Sequence, residues 1–205
     1  METNSRKDHW NNVYSTKQPH EVSWTQELPE TSLDFIHSFK LEKSAKIIDI
    51  GGGDGKLVDY LLDEGYENVY VLDISEKAIQ RAKQRLGERA TKVNWIGCDV
   101  TDFQPTLQYD CWHDRAAFHF LTSKNDLNKY LTIARKAVSS FMIIGTFSDK
   151  GPKKCSMLDV HQYTEEELQK QLQNDFEKIK CITEDHKTPF NTIQNFLFCS
   201  FKRII

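Results

Sequence analysis

Apolar runs of strand length alternate with stretches of helical period along most of the chain. The first run is AKIIDI at 45–50; Gly51 to Gly55 break it, and Leu57, Leu61 and Leu62 then recur at helical spacing until Gly65. VYVLDI at 69–74 predicts a second strand, and Ser75 is placed to cap a helix with Ala78, Ile79, Ala82 and Leu86 on one side. These elements make one βαβ unit. Further strands are expected over 92–100 with its loop, 109–114 and 140–147, with a helix over 125–138 before the last of them. Thr164 and Glu167 have the spacing of a capping box opening a helix to Leu172. The chain ends differently: DFEKIKCITEDHKT and TIQNFLFCSFKRI are two strand-like runs joined through TPFN, with no helix between them. So short a connection makes them antiparallel. The whole order predicts an α/β, three-layer fold: a mostly parallel sheet with helices on both faces and a C-terminal antiparallel hairpin.

The 205 residues suffice for one α/β domain with a full core and fall short of two with a linker. Residues 1–205 are therefore read as a single domain, an N-terminal arm and helix at 1–40 preceding a core at 45–205. A net charge of −3 gives no electrostatic reason for binding along a nucleic-acid backbone, so no nucleic-acid partner is expected. The N-terminus has no apolar core, and nowhere does the chain run apolar for the ~18 residues of a membrane span, so a cytoplasmic protein without membrane contact is expected. Five cysteines, an odd number without a C-x-x-C pair, speak for reduced thiols rather than a disulfide framework or a zinc knuckle, and no metal is expected.

The informative chemistry follows the first strand, where Asp49-Ile50-Gly51-Gly52-Gly53-Asp54-Gly55 places four glycines in five residues. An ordinary strand-to-helix turn needs glycine at one position; this density points to a ligand approaching the backbone above the strand ends. The dinucleotide fingerprint G-x-G-x-x-G would need a glycine where Lys56 stands. The pattern present, Asp49-x-Gly51-x-Gly53-x-Gly55, resembles motif I of the class I S-adenosylmethionine (SAM)-dependent methyltransferase superfamily, and the closing hairpin is similar to that family's too. The resemblance implies the Rossmann-like seven-stranded fold, SAM as cofactor and S-adenosylhomocysteine (SAH) as product. It assigns Asp49, Gly51, Gly52, Gly53 and Gly55 to the cofactor. Asp73, 24 residues after Asp49, takes the place of the family's ribose-binding acid, with Ile74 beside it. Read alone, Asp73 is as well explained as a helix cap or a solvated loop carboxylate. Asp99 and Val100, in Gly97-Cys98-Asp99-Val100, match the family's adenine-binding pair.

The end of the fourth strand, Tyr109 to Leu121, is where the family places residues facing the transferred methyl. It lacks the N/D-P-P-Y/F signature of amino-group methyltransferases acting on nucleobases or glutamine. His113 and Asp114 are the catalytic candidates, able to orient an acceptor or take its proton; the competing reading has them hold the methionine end of the cofactor or the following loop. His119 reads as structural. In the arm, Trp10, Tyr14 and Trp24 resemble the lid of a subgroup of small methyltransferases, Trp24 being the expected pocket contact and Trp10 and Tyr14 packing residues. The loop from Thr146 to Tyr163 offers Cys155, His161 and Tyr163 as contacts. Its Lys150, Lys153 and Lys154 either steer an anion or form a solvated face.

Together these features predict methyl transfer from SAM to an acceptor that the sequence does not identify. A small metabolite is the first expectation, a protein lysine side chain the second and RNA the third. The rival class is a SAM-binding sensor or scaffold without catalysis, because the cofactor motifs are far clearer than any catalytic one. A nicotinamide-dependent oxidoreductase fails at Lys56 and at the closing hairpin. No feature speaks to oligomeric state.

Overall fold

The computed structural model describes residues 3–204. Among these residues nine strands and six α-helices follow one another, the seven predicted strands in the predicted order: α1 (Thr3–Thr16), α2 (Glu30–Ser38), β1 (Lys46–Ile50), α3 (Leu57–Asp63), β2 (Asn68–Asp73), α4 (Glu76–Leu86), β3 (Val93–Gly97), β4 (Tyr109–Arg115), α5 (Lys124–Ala137), β5 (Val138–Phe147), β6 (Lys154–Cys155), β7 (Leu158–Asp159), α6 (Glu165–Leu172), β8 (Phe176–Lys187) and β9 (Ile193–Arg203). Seven strands form one sheet in the order β3-β2-β1-β4-β5-β9-β8. The first five are parallel, and β9 runs antiparallel to both β5 and β8. The strand order reverses direction between β1 and β4, the kind of switch point at which open α/β sheets leave a crevice above their carboxyl ends.

Each face of the sheet buries its own core. Leu33 and Ile36 of α2 and Leu57 and Leu61 of α3 pack on Ile47, Val69 and Phe198, whereas Tyr130 and Ala134 of α5 and Leu168 of α6 pack on Trp112, Met142 and Phe201. The helix starts match their sequence signals. Ser75 Oγ accepts from the Ala78 amide at 3.2 Å, and Thr164 and Glu167 close a reciprocal capping box at 3.2 and 3.0 Å. Helix α1 is held against the domain by polar contacts: the Ser75 hydroxyl donates to Asn11 Oδ1 at 3.0 Å, and Lys7 pairs with Glu76 at 2.7 Å.

Two features differ from the sequence reading. Residues 154–159 form a small hairpin, β6–β7, whose turn residues Ser156 and Met157 both have positive φ. The cysteines are not all reduced: Cys98, Cys111 and Cys155 are free, but Cys181 and Cys199 form a disulfide with Cα atoms 4.1 Å apart. A register shift between Lys178 and Lys180 brings the two cysteines opposite one another on β8 and β9.

Candidate functional site

The carboxyl ends of β1, β2 and β4 and the turn after β3 open onto one cavity, closed over by α1 and the segment between α1 and α2. At its floor lies the glycine turn. Gly51 and Gly53 have φ of 65° and 52°, conformations that glycine enters without strain. At Gly52 a Cβ would stand 2.6 Å from Asp49 Oδ2 and 2.9 Å from Val71 Cγ1, so no side chain fits there. The amides of the turn are largely engaged within it: Gly51 and Gly52 donate to Leu72 O at 2.7 and 3.3 Å, and Gly55 donates to Gly52 O at 2.8 Å. The turn therefore presents bare Cα surface rather than donors. Arg85 of α4 fixes its shape from behind, donating to Asp54 O at 2.5 Å and Gly55 O at 2.8 Å. Gly51, Gly52 and Gly55 line the cavity; Gly53 lies beneath the Tyr14 hydroxyl, which a Cβ there would meet at 2.8 Å.

Three buried carboxylates stand at successive strand ends. Asp49 closes a relay across three elements: His113 Nδ1 lies 2.7 Å from Asp49 Oδ1, and His113 Nε2 lies 2.9 Å from Ser32 Oγ. A neutral ring with its proton on Nδ1 donates to Asp49 and accepts from Ser32, which satisfies all three groups. Asp73 Oδ1 accepts from the Ser75 amide at 2.7 Å. Burial raises the Asp73 carboxyl to about 7, against the lowering effect of hydrogen bonds from the Ser75 and Gly53 amides. Asp99 Oδ1 accepts from the amide and hydroxyl of Thr101, both at 2.8 Å. Its Oδ2 stands 3.0 Å from the Arg6 guanidinium, an ion pair without an aligned hydrogen bond, so this oxygen retains capacity to accept. Ile74 and Val100 complete this wall.

Adjacent residues of β4 point to opposite faces. His113 borders the cavity, whereas Asp114 turns into the other core, accepts from the amides of Ala117 and Phe118 at 3.1 and 3.0 Å and from the Tyr130 hydroxyl at 2.8 Å, and lines no part of the cavity. The structure thus separates the two catalytic candidates. Both nitrogens of the His113 ring are hydrogen-bonded, and Asp114 caps the turn after β4. His119, fully buried, stacks on Phe147 at 4.3 Å, and burial lowers its pKa to about 3, so the ring stays neutral.

The remaining wall is aromatic. Trp10 meets Trp24 edge-on at 5.7 Å and Phe120 at 5.1 Å, and Tyr14 lies 6.2 Å from Trp24; all four border the cavity. Trp24 is where the sequence placed it, but Trp10 and Tyr14 face the cavity as well as packing the arm. Cys155 reaches the cavity from β6; His161, Tyr163 and Lys150, Lys153 and Lys154 do not. Tyr163 instead packs against Phe118 at 5.2 Å, and Lys154 pairs with Asp159 at 3.3 Å. Sequence reasoning missed Arg6, Ser32 and Arg115. Arg115 alone carried a signal, a cation ending a buried strand at the ligand-binding edge of the sheet.

Among the described residues no helix is long and apolar enough to cross a membrane, and no group of three His, Cys, Asp or Glu is arranged to hold a metal. Residues 47–140 match the methyltransferase domain family. Over 125 residues the chain is 25% identical to the mouse (Mus musculus) eEF1A lysine and N-terminal methyltransferase, covering 61% of this chain and 16% of that protein. Over 91 residues it is 30% identical to malonyl-[acyl-carrier protein] O-methyltransferase 2 of Ilyobacter polytropus, covering 44% of this chain and 35% of that one. The chain thus spans about a sixth to a third of the length of these relatives. Its fold is similar to that of magnesium protoporphyrin IX methyltransferase from Synechocystis, solved with SAH bound, at a TM-score of 0.69 and 16% identity, covering 98% of this chain and 95% of that one. The glycine turn, the acidic strand ends, the seven-stranded topology and the match of residues 47–140 agree: this chain carries a methyltransferase domain with the Rossmann-like fold of the class I SAM-dependent enzymes.

Proposed function

We propose that this protein transfers the methyl group of SAM to a small-molecule nucleophile held in the aromatic half of the cavity. The observation that carries this reading is the wall of Trp10, Trp24 and Phe120 beside the acidic strand ends, enclosed by the arm. SAM, when bound, supplies an activated methyl on a positively charged sulfur. Asp73 would accept from its ribose hydroxyls and Asp99 Oδ2 from its adenine amino group, with Ile74 and Val100 packing alongside and the Gly51–Gly55 turn admitting its backbone-proximal part. The fit rests on the bare Cα surface at Gly52 and on the unfilled accepting capacity of Asp99. Aromatic faces attract cations, so the Trp10–Trp24 pair suits a site where positive charge is held.

The residues position more than they deprotonate. His113 orients Asp49 through Nδ1 and is anchored by Ser32 through Nε2. Burial pushes the Cys155 thiol up to about 11, so it remains a thiol at neutral pH. With both His113 nitrogens hydrogen-bonded and Cys155 held as a thiol, the acceptor in this reading is a nucleophile that has a lone pair at neutral pH or gives its proton to water. Holding it in reactive geometry supplies several kcal/mol of the barrier reduction. In this reading residues 1–205 act as one domain in the cytoplasm without a nucleic-acid partner.

The test is SAH formation from SAM by the purified protein with panels of small amines, thiols and organic acids, and separately with a protein extract. Turnover on small molecules supports the reading. Methylation of polypeptides alone replaces it with the second one, a protein methyltransferase, which the similarity to the mouse enzyme favours. SAM binding without turnover on either panel would leave a sensor or scaffold.

A further inference from the structure

The aromatic half of the cavity contains a cation that the protein does not match. Arg115 ends β4, and its Nη1 donates to the Trp24 carbonyl at 2.9 Å. The other two nitrogens, Nε and Nη2, are buried and meet no hydrogen-bond partner. Among the described residues no carboxylate comes within ion-pair distance of the guanidinium; Glu184, the acid with the largest influence on it, stands farther off with its own Oε2 unbonded. Burial lowers the guanidinium to about 10, which leaves it fully charged at neutral pH. Unpaired buried donors on a charged group are costly, and such groups are normally satisfied. Nε and Nη2 form one edge of the guanidinium, the edge that meets both oxygens of a carboxylate in two parallel bonds.

The side chain also leans in a telling direction. In the sheet β4 lies between β1 and β5, and the Arg115 guanidinium sits 4.9 Å from the ring of Phe196 on β9, beyond β5. The guanidinium therefore lies between the Trp24 carbonyl and the Phe196 ring.

We propose that Arg115 is the recognition group for a carboxylate on the methyl acceptor, so that the acceptor is a small organic acid. This rests on the reading of a small-molecule acceptor given above, and it adds the substrate class. The Nε–Nη2 edge holds the carboxylate while the aromatic rings cover the rest of the molecule. A neutral amide of the same shape fails at this edge, because it offers one oxygen and brings an N–H against a guanidinium.

The test uses calorimetry on the full chain, with and without saturating SAH. The titrants are three matched pairs: acetate and acetamide, benzoate and benzamide, phenylacetate and phenylacetamide. At least one carboxylate is expected to bind the wild type about tenfold more tightly than its amide, with R115Q erasing that preference and R115K weakening it without reversing it. SAH affinity is expected to stay within about twofold in both variants, since the cofactor's contacts lie elsewhere. Equal binding of every carboxylate and its amide, or a preference that survives R115Q, overturns the proposal. So does a tenfold loss of SAH affinity in R115Q with methylthioadenosine affinity unchanged, which would assign the guanidinium to the cofactor's own carboxylate. A wild type that failed to bind SAH would sink the methyl-transfer reading alone, because the carboxylate preference is also read without SAH.

Discussion

The two halves of the cavity are built in different ways. On the side of β1, β2 and β3, recognition is polar and local: three carboxylates end successive strands, each oriented by a neighbour two residues on or by the adjoining strand. On the side of β4 and β5 it is made by packing. Trp10 and Trp24 come from the arm, Phe120 from the loop after β4, and Arg115 rests on Phe196 of β9. The difference teaches that one half suits a ligand with fixed donors, while the other is defined by shape and a single charge.

The largest effect that sharpens this contrast is expected at the glycine turn. A Gly52→Val substitution places carbon where Asp49 and Val71 already stand, and SAH affinity should fall at least about 100-fold, or ~2.7 kcal/mol. Calorimetry on a variant with native circular dichroism measures it. Wild-type affinity would show that the turn is not the cofactor's cradle.

Asp114 tests the contrast along one strand. Asp114→Ala removes the acceptor of three hydrogen bonds in a fully buried site, and should lower unfolding free energy by about 2 kcal/mol in denaturant titration. SAH affinity of the folded variant should hold within about twofold. A selective loss of binding or turnover with unchanged stability would return Asp114 to the cavity's chemistry.

The smallest expected effect is a pH dependence confined to the cofactor half. Asp73 has its carboxyl raised to about 7, and ribose hydroxyls donate best to the ionised form. As pH falls through 7 a proton competes with the ligand, so SAH affinity should drop about tenfold between pH 8 and pH 6, and Asp73→Asn should flatten the profile. A slope that persists in the variant would place the titrating group elsewhere.

Much of the first half was legible in the chain because its signals are short-range. The Asp49–Gly55 spacing, the acid at the end of β2 and the Asp99–Val100 pair each occupy one turn next to a strand, and a parallel sheet sets such ends side by side. The second half depends on approaches between residues far apart in sequence, as between Trp10 and Phe120. Whether Arg115 is paired depends on everything around it, and no local pattern reports that. His113 and Asp114 illustrate the same limit: sequence places them together at a strand end, but the alternation of the strand sends them into different environments. The disulfide was hidden for a related reason. From the pairing of Phe176 with Arg203, an unbroken register would set Cys181 opposite Phe198, and only the extra residue at Ile179 moves it opposite Cys199.

The position of β8 as the outermost strand has a consequence for how copies of this chain behave toward one another. An outer strand of twelve residues presents a long row of unpaired backbone groups, a template on which another chain can add. Six of these twelve residues, Glu177, Lys178, Lys180, Glu184, Asp185 and Lys187, are charged, and the bulge at Ile179 twists the row out of line. At the opposite rim β3 has only five residues. Both rims are thus poor templates, and the sheet is protected against edge-to-edge growth into aggregates.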